Sequence, residues 1–560
     1  MELAGPGGAA PAALPPRYYR DNFLQLCNAV EARYGDLLHS AEHALLARWR
    51  DLPESAQCLY VRLVSRVGPW FRSSKLAYAE ITDIAAALAD LSAADLLATA
   101  GDIGLEELAR LFTVAEWRRA FVAELPSPQP RTKRDLLAAI AGLQWPDADL
   151  LDRLLEVTGD QLVAPLGTDT VELLQLLFFG NRGQGLTDFV LSDLGIARYY
   201  PYPLDRRQRL FSCREAVDEY RYWGELADAH WLLQDAGDTD GLAALAGLLL
   251  DTTPRFATSE RRYWKLCNRL ARNLERSGEL ALAAQLYARS QLHPARERHV
   301  RVLENSGHCE QALQQCRLLL DQPWCEEEFE AAQRILPRLL RQLDQSLPAR
   351  RREPVRTLDL VLPRVEGGVE LAVASHLAAD WPAVHYVENA LFNSLFGLAF
   401  WEQIFAPVAG AFHNAFQSVP ADMYQQGFYQ RRQDLLDARL AELASVDLFP
   451  ELLAALHRFQ GYQCRWVNWQ LLSATLLKQM LACVPREQLL AIWQRMLFDP
   501  GENRRGFPDL IALGDAPGAW CLVEVKGPGD QLQHSQRRWL RFFDEQGIPA
   551  CVARVSWANV

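Results

Sequence analysis

The sequence predicts a mainly α, multidomain protein that ends in a smaller α/β domain. Apolar residues recur at helical spacing through residues 20–165 and again from about 220 to 345. Near the C-terminus, the apolar runs 510–513 and 520–525 flank a break rich in Gly, Pro and Asp, which is typical of a β-hairpin. A chain of 560 residues that is 49% hydrophobic can bury several separate cores.

The first helical region contains a segment, residues 58–81, in which basic and aromatic side chains alternate. Arg66, Arg72 and Lys75 lie among tyrosine, tryptophan and phenylalanine, a mixture that suits contact with phosphates and bases. An amphipathic helix pair with a solvated basic face explains the same composition, and composition alone favours that alternative.

A proline-rich linker at 126–130 leads to a second candidate DNA-binding element. Thr132 is expected to cap a helix that begins with Lys133 and carries Leu136 and Ile140 on one face. This helix resembles the second helix of a SAP module, a small binder of the DNA backbone.

The region from about 220 to 345 carries a weak internal repeat. Ser277-Gly278 with Ala283 recurs 29 residues later as Ser306-Gly307 with Ala312. A turn glycine followed by an alanine-rich helix resembles degenerate tetratricopeptide units, which stack into a solenoid.

Composition limits the class of protein further. The eleven cysteines show no zinc-type spacing, which predicts reduced thiols, and no apolar run is long enough to span a bilayer. We therefore expect a soluble cytoplasmic protein, associated with the nucleoid if it is bacterial. The net charge of −12 argues against nonspecific binding of polyanions but permits local basic patches.

The predicted hairpin carries the candidate catalytic residues. Asp509 stands at the start of the first strand, and Glu524 and Lys526 share one face of the second because strand side chains alternate. Carboxylates of this kind bind Mg²⁺ or Mn²⁺, and a neighbouring lysine can orient an attacking water. A surface hairpin with a Glu–Lys pair remains the alternative for the bare pattern.

Glu388 is the other candidate carboxylate. We predict that residues 384–405 form one apolar helix, with Glu388 on the face that carries Val384, Leu391 and Leu395. An acid in so apolar a helix pairs or ligates, since burying it alone is costly; an exposed first-turn position is the alternative.

Three blocks of sequence resemble a known family. They are 178–202, 384–405 and 504–540; the last contains Gly-Phe-Pro-Asp-Leu, Val-Glu-Val-Lys-Gly-Pro-Gly-Asp-Gln-Leu, and Gln536 with Trp539. They are similar to the VRR-NUC branch of the PD-(D/E)xK nucleases and, within it, to the Fanconi-associated nucleases in their bacterial form. The resemblance extends from about residue 55 to the C-terminus.

The resemblance implies a metal-dependent, structure-selective DNA nuclease with 5′-flap endonuclease and 5′-to-3′ exonuclease activity in the repair of interstrand crosslinks. It implies that Glu388, Asp509, Glu524 and the Val525 carbonyl hold one or two Mn²⁺ or Mg²⁺ ions, and that Gln536 points towards them. It also implies basic residues in the repeat region that hold the DNA 5′ end. Our candidates for that role are Arg262, Arg269, Arg298 and His299; pairing of several of these arginines with Glu260, Glu275 or Glu297 is the alternative.

The expected organisation is an N-terminal helical DNA-binding region with a SAP-like module (1–165), a tetratricopeptide-like domain (166–372) and an α/β PD-(D/E)xK (VRR-NUC) nuclease domain (373–560). Residues 178–202 are expected to form a structural joint, with Asp188 and Asp193 as caps or solvated acids. The expected partner is branched or 5′-flap DNA, bound by a monomer that contacts no membrane.

Animal members of the family carry a ubiquitin-binding zinc finger, but the first 55 residues here offer only Cys27, His39 and His43, so we expect none. Two alternatives stay open: a dimeric Holliday-junction-resolvase-like nuclease, and a non-catalytic helical-repeat scaffold for DNA repair.

Overall fold

The computed structural model describes residues 15–99, 101–126, 130–186, 198–347, 356–365 and 367–558. The chain divides into two compact units, Met1–Ala197 and Arg198–Val560. No helix within these described ranges is both long and apolar enough to cross a membrane.

The first unit consists of helices around a small antiparallel sheet. Strand β3 (Leu162–Pro165) lies between β1 (Phe71–Arg72) and β2 (Leu97–Ala98). The helices are α1 (Tyr18–Tyr34), α2 (Ser40–Asp51), α3 (Glu54–Val64), α4 (Ile84–Ala93), α5 (Leu105–Leu111), α6 (Val114–Ala120), α7 (Lys133–Ala141), α8 (Asp147–Thr158) and α9 (Thr168–Phe179).

The predicted cap of α7 is present. The Thr132 hydroxyl accepts a hydrogen bond from the backbone N–H of Asp135 at 3.1 Å, and Leu136 and Ile140 are fully buried. Gly180 ends α9 with a φ of +71°, which glycine adopts without strain. Asp188 and Asp193, which are predicted to be caps or solvated acids, lie outside the described residues.

The second unit begins with successive packed helices. They are α10 (Arg214–Ala236), α11 (Thr239–Asp251), α12 (Ala257–Ser277), α13 (Leu280–Arg289), α14 (Ala295–Asn305), α15 (Cys309–Asp321) and α16 (Glu326–Gln342). Gly278 and Gly307 turn the chain after α12 and α14 with φ values of +91° and +79°. Ala283 and Ala312 are both fully buried. The 29-residue spacing in the sequence therefore reflects a recurring helix–glycine turn–helix geometry.

The rest of the second unit surrounds a five-stranded mixed sheet of order β4-β8-β7-β6-β5. Its strands are β4 (Thr357–Leu362), β5 (Ala383–Tyr386), β6 (Leu510–Leu513), β7 (Trp520–Lys526) and β8 (Ala550–Trp557). Its helices are α17 (Val369–Leu377), α18 (Ala390–Ala399), α19 (Trp401–Ile404), α20 (Gln433–Ser445), α21 (Leu448–Phe459), α22 (Ala474–Cys483), α23 (Arg486–Phe498) and α24 (His534–Glu545).

The predicted hairpin is confirmed, and the sheet extends it. β6 and β7 pair antiparallel, with Leu510 opposite Val523, and β8 pairs parallel to β7. β4, which ends at Leu362, pairs with β8 and so belongs to this sheet. The sheet therefore begins before residue 373, where the nuclease domain was predicted to start. The first compact unit likewise continues beyond residue 165 and includes α9.

The prediction of one helix through residues 384–405 is wrong at its start. Residues 383–386 form β5, which pairs antiparallel with β6, and the helix begins only at Ala390. Pairing with a buried strand outweighs the helical spacing, because a short apolar run fits either structure.

Candidate active site

Backbone pairing brings Asp509 and Glu388 together. Asp509 immediately precedes β6, and Glu388 follows β5 by two residues. The backbone N–H groups of Val387 and Glu388 both donate to the Asp509 carbonyl, at 2.8 and 3.0 Å. The β5–β6 pairing therefore fixes the two carboxylates at the same edge of the sheet.

The hairpin adds Glu524 and Lys526 to this edge. The Asp509 carboxylate Oδ2 accepts a hydrogen bond from the backbone N–H of Val525 at 2.8 Å. The Glu524 side chain is fully buried, and its Oε1 lies 2.8 Å from Nζ of Lys526. As the strand alternation predicts, Glu524 and Lys526 share one face of β7 while Val525 is buried.

Glu388 occupies a turn, so it does not share a helix face with Val384 and Leu391 as predicted. Its φ is +32°, in the region that non-glycine residues seldom adopt. The Tyr386 hydroxyl donates to Glu388 Oε2 at 2.8 Å, and the Asn389 amide donates to Oε1 at 3.3 Å. Two neighbouring side chains therefore hold this exposed carboxylate in position.

The loop before Asp509 is fixed by close packing. Gly506, with a φ of +85°, leaves no space for a Cβ, which would lie 2.6 Å from the backbone of Ser535. The Phe507 ring stacks on Phe392 and on Trp539, with centroid distances of 4.9 and 4.1 Å. Ser535 and Trp539 belong to α24, so this packing fixes the position of the helix relative to Asp509.

A cleft of about 450 Å³ opens at this edge, and its lining includes Glu388, Asp509 and Gln536. Gln536 lies on α24, and its Oε1 accepts the backbone N–H of Gln533, which caps the helix. Arg505 also lines the cleft. The cleft thus places an amide and a guanidinium beside the carboxylates, where a phosphate group would enter.

Mutual repulsion and burial shift the acids of the site. Burial and the nearby Asp509 raise the pKa of Glu524 to about 7, against an ordinary value of 4.5. Burial also raises the pKa of Asp509, and the hydrogen bond from Val525 opposes that rise. The hydrogen bond to Glu388 raises the pKa of Tyr386, so this phenol remains a donor.

These acids fit a divalent metal ion. Glu524 Oε2 is buried and has no hydrogen-bond partner among the described residues, an arrangement that is costly unless a cation satisfies it. Three carboxylates supply the hard oxygen ligands that Mg²⁺ and Mn²⁺ prefer. The site therefore favours divalent-metal dependence.

The same shift predicts how stability depends on pH in metal-free protein. A carboxyl group whose pKa is raised by folding stabilises the native state while it is protonated, and this contribution is lost as the pH rises from about 4.5 through about 7. In EDTA, Glu524→Gln is expected to weaken the fall in melting temperature over this interval. If the melting temperatures of the variant and the wild type fell equally with pH, the raised pKa of Glu524 would be contradicted.

The basic candidates of the first unit differ in exposure. The Arg72 guanidinium is buried and pairs with Asp160 at 2.7 Å and Glu116 at 2.9 Å. Both acids form structural ion pairs with the Arg72 guanidinium, so Arg72 is no longer a candidate phosphate contact. Arg66, which donates to the Tyr78 hydroxyl, remains exposed, as do Lys75 and Lys133.

The basic candidates of the second unit also separate into two groups. Arg298 pairs with Glu275, and the Arg262 guanidinium stacks 3.9 Å from the Tyr220 ring centroid. Burial lowers the pKa of His299, which favours its neutral form. Of the four, Arg269 alone lines the cavity described next.

Arg261, Lys265 and Arg269 lie on one face of α12 at spacings of four residues, beside a cavity of about 440 Å³. None of the three has a carboxylate within 4.0 Å among the described residues. Partial removal from solvent, together with Arg261 and Arg269, lowers the pKa of Lys265. Three cations at one cavity, without an ion-pair partner in the described ranges, make it a candidate site for an anion.

Some of these residues carried a signal that the sequence analysis did not use. Arg261, Lys265 and Arg269 recur at i, i+4 and i+8, and Tyr386 stands two residues before Glu388, within hydrogen-bonding reach of it. The role of Asn389 had no such signal. Its Oδ1 accepts from the backbone N–H of Phe507, 118 positions away in the chain.

Comparison with known proteins agrees with this geometry. The VRR-NUC domain profile matches residues 449–557, and the profile of the FAN1 HTH domain matches residues 17–98. The apolar spacing predicts helices in the latter segment, but no sequence signal identified a helix–turn–helix domain there. Residues 17–98 contain α1 to α4 and the candidates Arg66 and Lys75.

Curated relatives match almost the whole chain. The Fanconi-associated nuclease 1 homolog of Pseudomonas aeruginosa is 37% identical over 551 residues, which cover 98% of this chain and 97% of that protein. The homolog of Arabidopsis thaliana is 25% identical over 615 residues, which cover 98% of this chain and 68% of the relative.

A solved structure has the same fold. The crystal structure of paFAN1 bound to DNA with a 2-nucleotide 5′ flap and a gap superposes with a TM-score of 0.79 at 36% identity, and the match covers 98% of this chain and all of that one. As the sequence predicted, the chain is a DNA nuclease and belongs to the Fanconi-associated nuclease 1 family.

Proposed function

We propose that this nuclease is structure-selective and cleaves DNA near a 5′ flap, with Mg²⁺ or Mn²⁺ as the cofactor. The observation that carries the proposal is the convergence of Glu388, Asp509, Glu524 and Lys526 at the end of the β6–β7 hairpin. The crystal structure of the relative paFAN1, bound to 5′-flap DNA, supports the choice of substrate.

Each residue has a distinct task in the proposed site. Glu388, Asp509, Glu524 and the Val525 carbonyl hold one or two ions, which supply Lewis acidity at the scissile phosphate and acidify a water. Asp509 also keeps Val525 in position through the hydrogen bond from its N–H. Tyr386 orients Glu388 by donating a hydrogen bond to its carboxylate.

Lys526 positions the nucleophilic water. Its ammonium is held beside Glu524, from where it donates to the water and stabilises negative charge that develops on the phosphate. Gln536 and Arg505 line the cleft and orient the phosphate. In-line attack by the water breaks the P–O3′ bond and leaves a 5′-phosphate on the product, without a covalent enzyme intermediate.

The cavity beside α12 is our proposed site for the 5′-terminal phosphate. Arg261, Lys265 and Arg269 have no carboxylate within 4.0 Å in the described part of the chain, and this set replaces Arg262, Arg298 and His299 as our candidates. Arg66, Lys75 and Lys133 stay as proposed contacts with the duplex backbone, where charge and shape are recognised in place of base sequence.

Cleavage of labelled substrates tests the proposal. The wild type should cut a 5′-flap duplex near the junction with Mn²⁺ or Mg²⁺, should not cut it in EDTA, and should cut a 3′ flap or a blunt duplex much more slowly. Equal rates on all these substrates would refute structure selectivity. Binding of the flap without cleavage in any metal would instead favour a repair scaffold.

Lys265→Ala tests the proposed 5′ site. Loss of one charge-assisted contact should weaken binding of a 5′-phosphorylated flap by about 10-fold and should affect a 5′-hydroxyl flap much less. Competition binding at fixed salt measures both. Arg276→Ala, an exposed change on the same helix, is the matched control and should leave both affinities unchanged.

We further propose 5′-to-3′ exonuclease activity and a role in the repair of interstrand crosslinks, both of which rest on family membership. A 5′ site at a fixed distance from the metal site allows repeated cleavage from one end. The enzyme is expected to act as a monomer, in contrast to a junction resolvase, which cuts symmetrically as a dimer. Sedimentation of the enzyme with flap DNA distinguishes the two.

A further inference from the structure

A histidine, a cysteine and a glutamate that are distant in the sequence meet outside the nuclease site. His293 lies between α13 and α14, Cys325 directly precedes α16, and Glu327 is in the first turn of α16. One potential ligand atom from each lies within 4.8 Å of the other two, and His293 Nε2 is 3.1 Å from Glu327 Oε2.

The ligand types suit zinc and differ from those of the nuclease site. Imidazole, thiolate and carboxylate are all zinc ligands, and a thiolate discriminates strongly against Mg²⁺. With bond lengths of about 2.0–2.3 Å, a tetrahedral ion keeps its ligands roughly 3.3–3.7 Å apart. The observed spacing therefore requires only small side-chain rotations.

Both backbone segments are held in place independently of any ion. On the first, the buried Asn268 amide donates to the Leu292 carbonyl at 3.0 Å, and the His293 N–H donates to Gln426 Oε1 at 3.3 Å. On the second, Trp324 N–H donates to Glu328 Oε2 at 2.7 Å, and Arg296 stacks over the Trp324 ring. The site therefore needs little reorganisation when it binds an ion.

One nitrogen of the histidine ring has no partner among the described residues. Nδ1 of His293 is buried and has no hydrogen-bond partner within those ranges, while Nε2 faces Glu327. A buried polar atom without a partner is costly, and coordination to an ion would satisfy it.

We propose that His293, Cys325 and Glu327 form a zinc-binding site, separate from the carboxylate site of the nuclease. All three line the cavity beside α12, so the fourth coordination position opens towards that cavity. The bound ion would link α16 to the turn before α14. This proposal does not depend on the flap substrate.

Cobalt substitution of the full-length protein tests the site. Co²⁺ added to the metal-stripped protein should give a thiolate-to-cobalt charge-transfer band, which a carboxylate site cannot produce. The band should persist in Asp509→Asn and in Cys309→Ser, a control that changes another partly exposed cysteine. It should be lost in Cys325→Ser.

Zinc retention gives a second readout. After dialysis, the wild type and Asp509→Asn should each keep one equivalent of Zn²⁺ and melt at a higher temperature than the stripped protein. Zinc binding by Cys325→Ser should weaken by more than the roughly 10–100-fold that loss of an outer-shell partner costs. If the wild type shows no thiolate band, or Cys325→Ser retains it, the cluster is only an ion pair and the proposal is overturned.

Discussion

Asp509→Asn is expected to lower the rate of flap cleavage by about 10³-fold or more while flap binding changes by less than about 3-fold. Asparagine keeps the size of the side chain and can still accept the hydrogen bond from Val525, so the hairpin should be preserved. It removes the negative charge with which Asp509 is proposed to hold the metal ion. Single-turnover cleavage at saturating enzyme, with binding measured in Ca²⁺, separates the two effects.

Asp515→Asn is the matched control, because Asp515 is exposed in the turn between β6 and β7 and lies away from the metal site. It should cleave like the wild type. If Asp509→Asn kept wild-type cleavage, Asp509 would not be a metal ligand and the proposed site would be wrong.

Asp422→Ala is expected to lower the free energy of unfolding by about 3–5 kcal/mol. The Asp422 carboxylate binds Arg432 at 2.8 and 3.1 Å and Arg431 at 2.6 Å. The Arg432 side chain is fully buried against Phe428, so removal of the acid leaves a buried charge without its partner. Urea unfolding followed by near-ultraviolet circular dichroism measures the change.

Glu402→Ala provides the comparison, because the Arg458–Glu402 pair is more than half exposed on both sides. It should cost less than about 1 kcal/mol. Equal effects of the two substitutions would mean that the buried pair contributes no more than a surface one. Phe428 and Arg432 are both buried, so these two side chains pack inside the protein.

The features that the sequence predicted correctly are those set by local chemistry. The β6–β7 hairpin follows from two apolar runs around a turn, and the shared face of Glu524 and Lys526 follows from the alternation of strand side chains. The capping of α7 by Thr132 and the turns at Gly278 and Gly307 also depend only on nearby residues. Together with the family motifs, these pointed to Asp509, Glu524 and Lys526; Glu388 was also a candidate, but on a helix that the structure does not have there.

The features that the sequence left open depend on partners far along the chain. Residues 383–386 become a strand only because β6 is available to pair with them, and that pairing delivers Glu388 to Asp509. Arg72 looks like a phosphate contact until Asp160 is seen beside it, and only the structure decides that Arg298 pairs with Glu275. Lys265 has no carboxylate within 4.0 Å among the described residues, and this could not be known from its neighbours in the sequence.

The sequence by itself therefore determined the chemistry of the candidate site. It places one acid before the first strand of the hairpin, a second acid and a lysine on the next strand, and basic residues on the helices that precede them. The tertiary structure decided which charges are neutralised and which remain free to bind a ligand. The physical reason is that local conformation depends on residues within a few positions, whereas ion pairing, burial and the meeting of His293 with Cys325 and Glu327 depend on how distant elements pack.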